Sequence, residues 1–473
     1  MTKRLTVILL AAGMLTAGAY VSAKPMIPTP ADTPVLGELE PVLVKLLGKD
    51  ADPDASLATV CDDAKLKAQI AKHKIKLFGG PMLGCVTDTS AKIWVRTPKP
   101  ASVQVVVGRT GIKSQAVKTT KASDLTAIVE LTGLKPTTEY QYDVLVDGKG
   151  ALGDKLPTFR TFPSKGQKAK FSVGFGGGAR YNPKYEHIWD TIASFKPDAF
   201  LFLGDNIYSD VPKERNTQRL YYYRRQLRPE YRRMTASAAI YSIWDDHDFG
   251  KNDCEGGPDK FKPDWKLPVW KVFKENWNNP YYGGGAEQPG CWYDFAIGDV
   301  DFFMTDGRYY RSWKDGTMLG PVQKKWLLAQ LKASKATFKV IASGTLWTET
   351  ADKGGKDSWW GVKEEREEIL SLIDKEKIDG VILISADRHR TDVYQIKRPN
   401  GYTLYEFETS KLTNNHTHRT RKQALFSYNK GHFFGMLNFD LTKSDPEMTF
   451  ACVTIDKKTV YTLTLKKSQL TAK

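Results

Sequence analysis

The chain of 473 residues has five cysteines, Cys61, Cys85, Cys254, Cys291 and Cys452, and no CxxC pair among them. That absence removes a zinc ribbon and a thioredoxin-like redox site from consideration. No internal repeat and no low-complexity tract is present, and beyond residue 21 no run is apolar enough to span a bilayer. Acidic residues are in deficit, 54 against 70 Lys and Arg, for a formal charge of +16. A basic surface suits anionic substrates or an acidic envelope. No DNA- or RNA-reading motif accompanies it, so specific nucleic-acid recognition is not expected.

What is present begins with aromatic residues, 11% of the chain, a content that belongs to a folded protein. Residues 1–23 read as a targeting segment: Lys3 and Arg4, an apolar run over 5–21, then Val21-Ser22-Ala23 as a small-residue cleavage site. The rival reading is an uncleaved anchor, but the run is short and broken by Thr and Gly. Cleavage and export to the periplasm or the cell exterior are therefore expected. Export permits disulfides. Cys254 with Cys291, flanking a Gly- and Pro-rich stretch, and Cys61 with Cys85 are the candidate pairs, with one thiol left over.

Residues 24–79 form a leader with helix-like stretches at 35–47 and 57–73. Residues 80–165 change to short alternating strands, such as 91–95, 103–107 and 140–144, as in a small β-sandwich. Segments 134–140 and 159–163 resemble the end of a fibronectin-III-like module. Residues 166–473 alternate strand and helix, which predicts an α/β core. Buried strands are expected at 171–175, 199–203, 240–244, 300–304, 340–343 and 381–384, and helices at 183–195, 212–234, 321–333 and 363–375. Residues 434–465 add strands at the sheet edge. Ligands of open α/β sheets bind beyond the carboxyl ends of strands, so six strand ends are expected to converge on one crevice.

Those ends carry the chemistry. Gly204-Asp205-Asn206-Ile207-Tyr208 offers a carboxylate able to bridge two ions and a phenol that favours a ferric ion; Trp244-Asp245-Asp246-His247-Asp248 offers a ligand beside a proton donor. Asp387 and His389, two apart, supply two more ligands. Asp245 and Asp248 read as loop caps. Burying so many like charges together is unfavourable without cations. Two features read as structural: a helix over Tyr221-Tyr222-Tyr223-Arg224-Arg225 with a packed aromatic face and a solvated basic face, and an incidental His416-x-His418 pair on a polar loop.

The motifs 204–208, 244–253, 305–311, 319–323 and 385–389, with Ser358-Trp359-Trp360-Gly361 and Glu365-Arg366, occur in the order found in PhoD-like phosphatases. The chain resembles that family of calcineurin-like metallophosphoesterases from about residue 78 to its end. The resemblance implies a metallophosphoesterase β-sandwich core flanked by helices, preceded by a small fibronectin-III/Ig-like all-β domain. It implies two or more metal ions, iron with calcium or another divalent metal. Asp205, Tyr208, Asp246, Asn252, Asp387 and His389 would hold them, His247 would protonate the leaving group and Arg308 would clamp phosphate. A metal-bound hydroxide would then attack the phosphorus of a monoester or diester in line. One departure stands out: where the family places a Cys or Asp after the first core strand, this chain has Gly176-Gly177-Gly178-Ala179-Arg180. Gly177, Gly178 and Arg180 would cradle phosphate, or the glycines serve a tight turn, and one metal position is put in doubt. The alternative function is a non-catalytic phosphate- or ligand-binding protein on the same fold.

Overall fold

In a computed structural model, the structure describes residues 34–108, 110–349, 357–399 and 401–472. The targeting segment expected at 1–23 lies outside them. In the leader, Pro34–Leu47 is one helix, but the second expected stretch is two, Leu57–Val60 and Ala64–Lys72. Asp63 separates them by accepting from the N–H groups of Lys65 and Leu66, an N-cap that starts a new helix. Leader residues Leu36, Leu39, Leu43 and Leu66 share an apolar core with Leu220, Tyr223 and Leu227 of the α/β region.

Two antiparallel sheets follow. One joins Gly79–Gly84, Ala91–Arg96 and Thr126–Leu131; the other centres on Ser102–Val107 paired with Glu139–Val146. Every second residue of Ser102–Val107 is buried, as the alternation requires. The Tyr142 hydroxyl donates to Ala236 O at 2.8 Å and Trp94 Nε1 to Glu275 O at 3.1 Å, which fix this β unit to the region behind it.

The α/β region has two large sheets. The first runs in the order Ala239–Ile243, Ala199–Leu203, Lys170–Gly176, Phe433–Asp440, Glu447–Thr454, Thr459–Lys466, with its first three strands parallel. The second includes Val300–Met304, Phe338–Ala342 and Val381–Ser385, also parallel, then Leu404–Thr409. The two pack across a shared core in which Phe407 meets Phe450 at 4.6 Å. A bridge between Gly177 and Ser410 joins them at one edge. Parallel register places all six expected strand ends along that edge. The stretch expected as one helix over 212–234 is two, Arg215–Gln226 and Pro229–Ser237, because Pro229 cannot continue the first.

All five cysteines are free, which corrects both expected disulfides. Cys61 belongs to the leader core, whereas the Cys85 thiol faces Asn278 O at 3.3 Å. Cys254 contacts Asp246 O at 3.8 Å, and the fully buried Cys291 takes its backbone partner from Asp306. Each thiol has its own surroundings.

Candidate metal centre

At the common edge the backbone itself is unusual. Asp205, Asp387 and His389 have φ of 54°, 79° and 48°, in the left-handed region that disfavours residues with a Cβ. Such conformations cluster at functional sites because the surrounding structure must enforce them. Asp248 supplies part of that enforcement: its Oδ1 accepts from the N–H groups of Asn206 and Ile207 at 2.9 and 3.0 Å. Gly204 is required here, since a Cβ would lie 2.5 Å from that of Asp245. From below, the Arg225 guanidinium donates to Ala179 O and Asn206 O and pairs with Glu186 at 2.8 Å. Arg224 pairs with Glu40 at 2.9 Å. Both arginines are buried, so the expectation of a solvated basic helix face is corrected: glutamates reached only in the fold compensate them.

Asp205, Asp246 and His247 bring ligand atoms within 4.8 Å of one another. The Tyr208 hydroxyl donates to Asp205 Oδ2 at 2.6 Å and lies 3.1 Å from His389 Nε2, which is 4.0 Å from Asp205 Oδ2. Asn414 Nδ2 also reaches His389 Nε2, at 3.2 Å. Burial pushes the Asp205 carboxyl up to about 8, with His247 and Tyr208 opposing and Asp246 and Asp387 adding to the rise. Burial pushes His389 down to about 3, leaving the neutral imidazole that ligates metals. Burial works against protonation of His247 too, but Asp246, Asp205 and Asp210 carry it well above the ordinary histidine value. Its Nδ1 is 2.6 Å from Asp210 Oδ1, and its ring stacks on Tyr208 at 4.2 Å.

Two buried atoms in this group, Asp205 Oδ1 and His389 Nδ1, have no hydrogen-bond partner among the described residues. A carboxylate oxygen left without a donor at such depth is unfavourable, and oxygen donors with imidazole are the set that hard and borderline cations take. These residues fit metal ions.

Other expected site residues are placed differently. Arg308 is wholly buried and committed: Nε donates to Asp245 Oδ1 at 2.5 Å, and Nη1 and Nη2 reach Asp357 at 2.6 and 3.2 Å. That corrects its reading as a phosphate clamp, because its fork is filled by carboxylates. Asn252 is exposed, and Asp253 and Asp357 are the residues that gather with Asp246. The Arg180 side chain is exposed. Gly177 donates its N–H to Thr409 O at 3.3 Å, and the next N–H but one, from Ala179, goes to Asp205 O at 2.8 Å. The cradle reading is corrected in favour of a turn: Gly178 has φ of 67°, and a Cβ there would meet Lys411 N at 2.8 Å. The His416-x-His418 pair is not incidental, for both histidines gather with His389. Asp210, Asp357 and Asn414 were not anticipated. Their only sequence signal is proximity to a motif or a polar loop, and Asp357 partners Arg308 across 49 residues.

A family model for PhoD-like phosphatases matches residues 173–473, and one for a domain of unknown function (DUF7800) matches residues 74–163. Alkaline phosphatase D of Bacillus subtilis (strain 168) is 23% identical over 313 residues, covering 55% of this chain and 52% of that protein. The chain thus spans about half the length of that curated relative. A solved structure of PhoD superposes with a TM-score of 0.71 at 15% identity, over 84% of this chain and 92% of the other. Purple acid phosphatase PPD1 from yellow lupin (Lupinus luteus) gives 0.59 at 12% identity, over 82% and 74%. At these identities the structural likeness is one of fold.

Proposed function

Since the chain belongs to the PhoD-like phosphatase family, we propose that it hydrolyses phosphoesters with metal ions held by Asp205, Tyr208, Asp246, Asp387 and His389. The observation that carries this reading is Asp205, a buried carboxylate with an unmatched oxygen, held in left-handed backbone within reach of Asp246 and His247. When bound, such ions supply positive charge to phosphoryl oxygens and acidify water. Tyr208 favours iron at one position, with calcium or another divalent ion at the second.

The chain's own residues do the rest. Asp210 holds His247 through Nδ1, which leaves Nε2 to carry a proton toward the departing alkoxide. Asn414 and Tyr208 orient the His389 ring through Nε2. Arg308 keeps Asp245 and Asp357 in place and does not touch the phosphate. In this reading residues 1–23 are a cleaved export signal, 24–79 a packing leader, 80–165 a fibronectin-III-like module and 166–473 the hydrolase, acting in the periplasm or outside the cell. No helix among the described residues is long and apolar enough to cross a membrane.

The test is elemental analysis of the purified protein beside hydrolysis of p-nitrophenyl phosphate and bis-p-nitrophenyl phosphate. Two or more ions per chain with turnover support the proposal. Metal or phosphate binding without turnover of either ester favours the non-catalytic reading, which the crowding around Gly178 supports, since no ligand side chain fits there.

A further inference from the structure

Beside the proposed centre lie two buried cations with little to balance them. Arg388 is 4% exposed, and its Nε and Nη1 have no hydrogen-bond partner among the described residues. Its nearest carboxylate oxygen is Asp387 Oδ2, 4.0 Å from Nη1, and its Nη2 lies 3.4 Å from His418 Nδ1. Lys411 is 6% exposed and φ of 87° turns it at the strand end; its ammonium reaches the Thr417 hydroxyl. No carboxylate lies within 4.0 Å of it among the described residues, and burial pushes its amine down with no acid opposing. Between the two stands the loop of His416, Thr417 and His418. Its imidazoles lie 5.2 and 5.6 Å from the His389 ring, which itself faces Tyr208 and Asp205.

Three gathered histidines could suggest another cation, but a guanidinium against His418 and an ammonium against Thr417 would repel it. Two desolvated cations with open donors favour the opposite sign of ligand. We propose that Arg388, Lys411 and the 416–418 loop bind a second anionic group, carboxylate or phosphoryl, on the same molecule whose phosphoester lies at Asp205. The substrate class is then a phosphoester bearing a further negative group a few bonds from phosphorus. This rests on the phosphoesterase reading above.

The test compares kcat and KM of the metal-loaded protein for 3-phosphoglycerate and glycerol 3-phosphate, which differ by a carboxylate. The wild type should favour 3-phosphoglycerate by about tenfold in kcat/KM, the scale of one charge-assisted hydrogen bond. Arg388→Gln and Lys411→Gln should each erase most of that ratio through KM, and Arg388→Lys should restore part of it. Arg388 adjoins Asp387 and His389, so Lys411→Gln, on a separate segment, guards against simple disruption of the centre. An unchanged ratio in Lys411→Gln, or no preference in the wild type, overturns the proposal. If the wild type turns over neither compound, hydrolysis of p-nitrophenyl phosphate decides the phosphoesterase reading separately, and calorimetry with 3-phosphoglycerate decides the subsite. Binding weakened by Arg388→Gln but not by Asn252→Ala supports it; no binding, or equal binding by both variants, overturns it.

Discussion

Two groups of buried charge sit side by side at the same sheet edge, and they are balanced in opposite ways. Around Arg308, each carboxylate meets a guanidinium: Asp245 takes Nε, and Asp357 takes both terminal nitrogens and a further bond from Arg311. Around Asp205, Asp246 and Asp387 add to the rise of its carboxyl against His247 and Tyr208, and Asp205 Oδ1 has no hydrogen-bond partner among the described residues. Arg308 Nη2 lies 3.8 Å from Asp246 Oδ1, so the first group borders the second. The Arg308 group is complete as protein, whereas in the Asp205 group His247 opposes the crowding of carboxylates and Asp205 Oδ1 is still left without a donor among the described residues. Acidic residues at strand ends are therefore not equivalent: those already paired hold loops in place, and those left over are available for ions.

The largest expected effect comes from removing the unbalanced carboxylate. Asp205→Ala should lower kcat for p-nitrophenyl phosphate by about 10²–10³-fold, comparable to loss of a principal charge-stabilising group, while metal content falls and urea unfolding shows no loss of stability. Retained activity would mean that Asp205 is only a turn residue, and the contrast between the two groups would collapse. Next is Arg308→Leu, which strands Asp245 without its guanidinium and leaves Asp357 with Arg311. A loss of about 3–5 kcal/mol is expected in denaturant unfolding, with metal still bound. Unchanged stability with a raised KM would restore the clamp role that the filled guanidinium argues against.

A smaller change is expected one residue out from the centre. Asp210 holds His247, the proposed proton donor, so Asp210→Asn should reduce kcat by about 10- to 100-fold, as loss of an orienting partner does. The descending limb of the pH–rate profile should also move to lower pH, because Asp210 helps raise the His247 pKa. A uniform loss at every pH would instead point to a structural role.

Removing the metals should expose the imbalance as a pH effect. Asp205 is pushed up to about 8 and Asp248 to about 7, both by burial first, above their unfolded values. An acid with a raised folded pKa favours the fold most below its unfolded pKa and loses that contribution as pH rises through the folded one. The chelated protein should therefore lose Tm between pH 4 and 8, by about 2–4 °C for each kcal/mol. Metal-loaded protein should show little of this slope. Equal slopes with and without metal would show that the carboxylates are balanced by something else.

How far the sequence foretold this arrangement depends on the distance over which each feature is determined. The strands ending at 203, 243 and 385 were legible because apolar runs stop at acidic residues, and those ends carry Asp205, Asp246 and Asp387. Arg308 was legible as a residue but not as a paired one, since its partner Asp357 lies 49 positions away in a different loop. Arg225 was misread for the same reason: a helix wheel cannot show Glu186, 39 positions earlier, folding beneath it. His416 and His418 looked incidental because no spacing rule links a polar loop to a strand end at 389. The Gly177–Gly178 turn could be read either way from residue types, and only the left-handed φ of Gly178 and its closeness to Lys411 decided it.

Asn252 gives the smallest effect and tests where local spacing misleads. The motif 244–253 makes it a ligand by resemblance, yet the chain turns after the short helix Asp246–Phe249 and leaves it exposed. Asp253 follows in left-handed backbone, with φ of 57°, and donates its N–H to Asp246 Oδ2 at 2.6 Å. The residue that steadies Asp246 is thus one position beyond the one that resemblance selects. Asn252→Ala should leave metal content intact and change kcat/KM by no more than about twofold, the range of ordinary surface substitutions. Loss of an ion in this variant would show that the loop closes onto the centre when metal binds, and the boundary between the paired and the unpaired group would then have to include it.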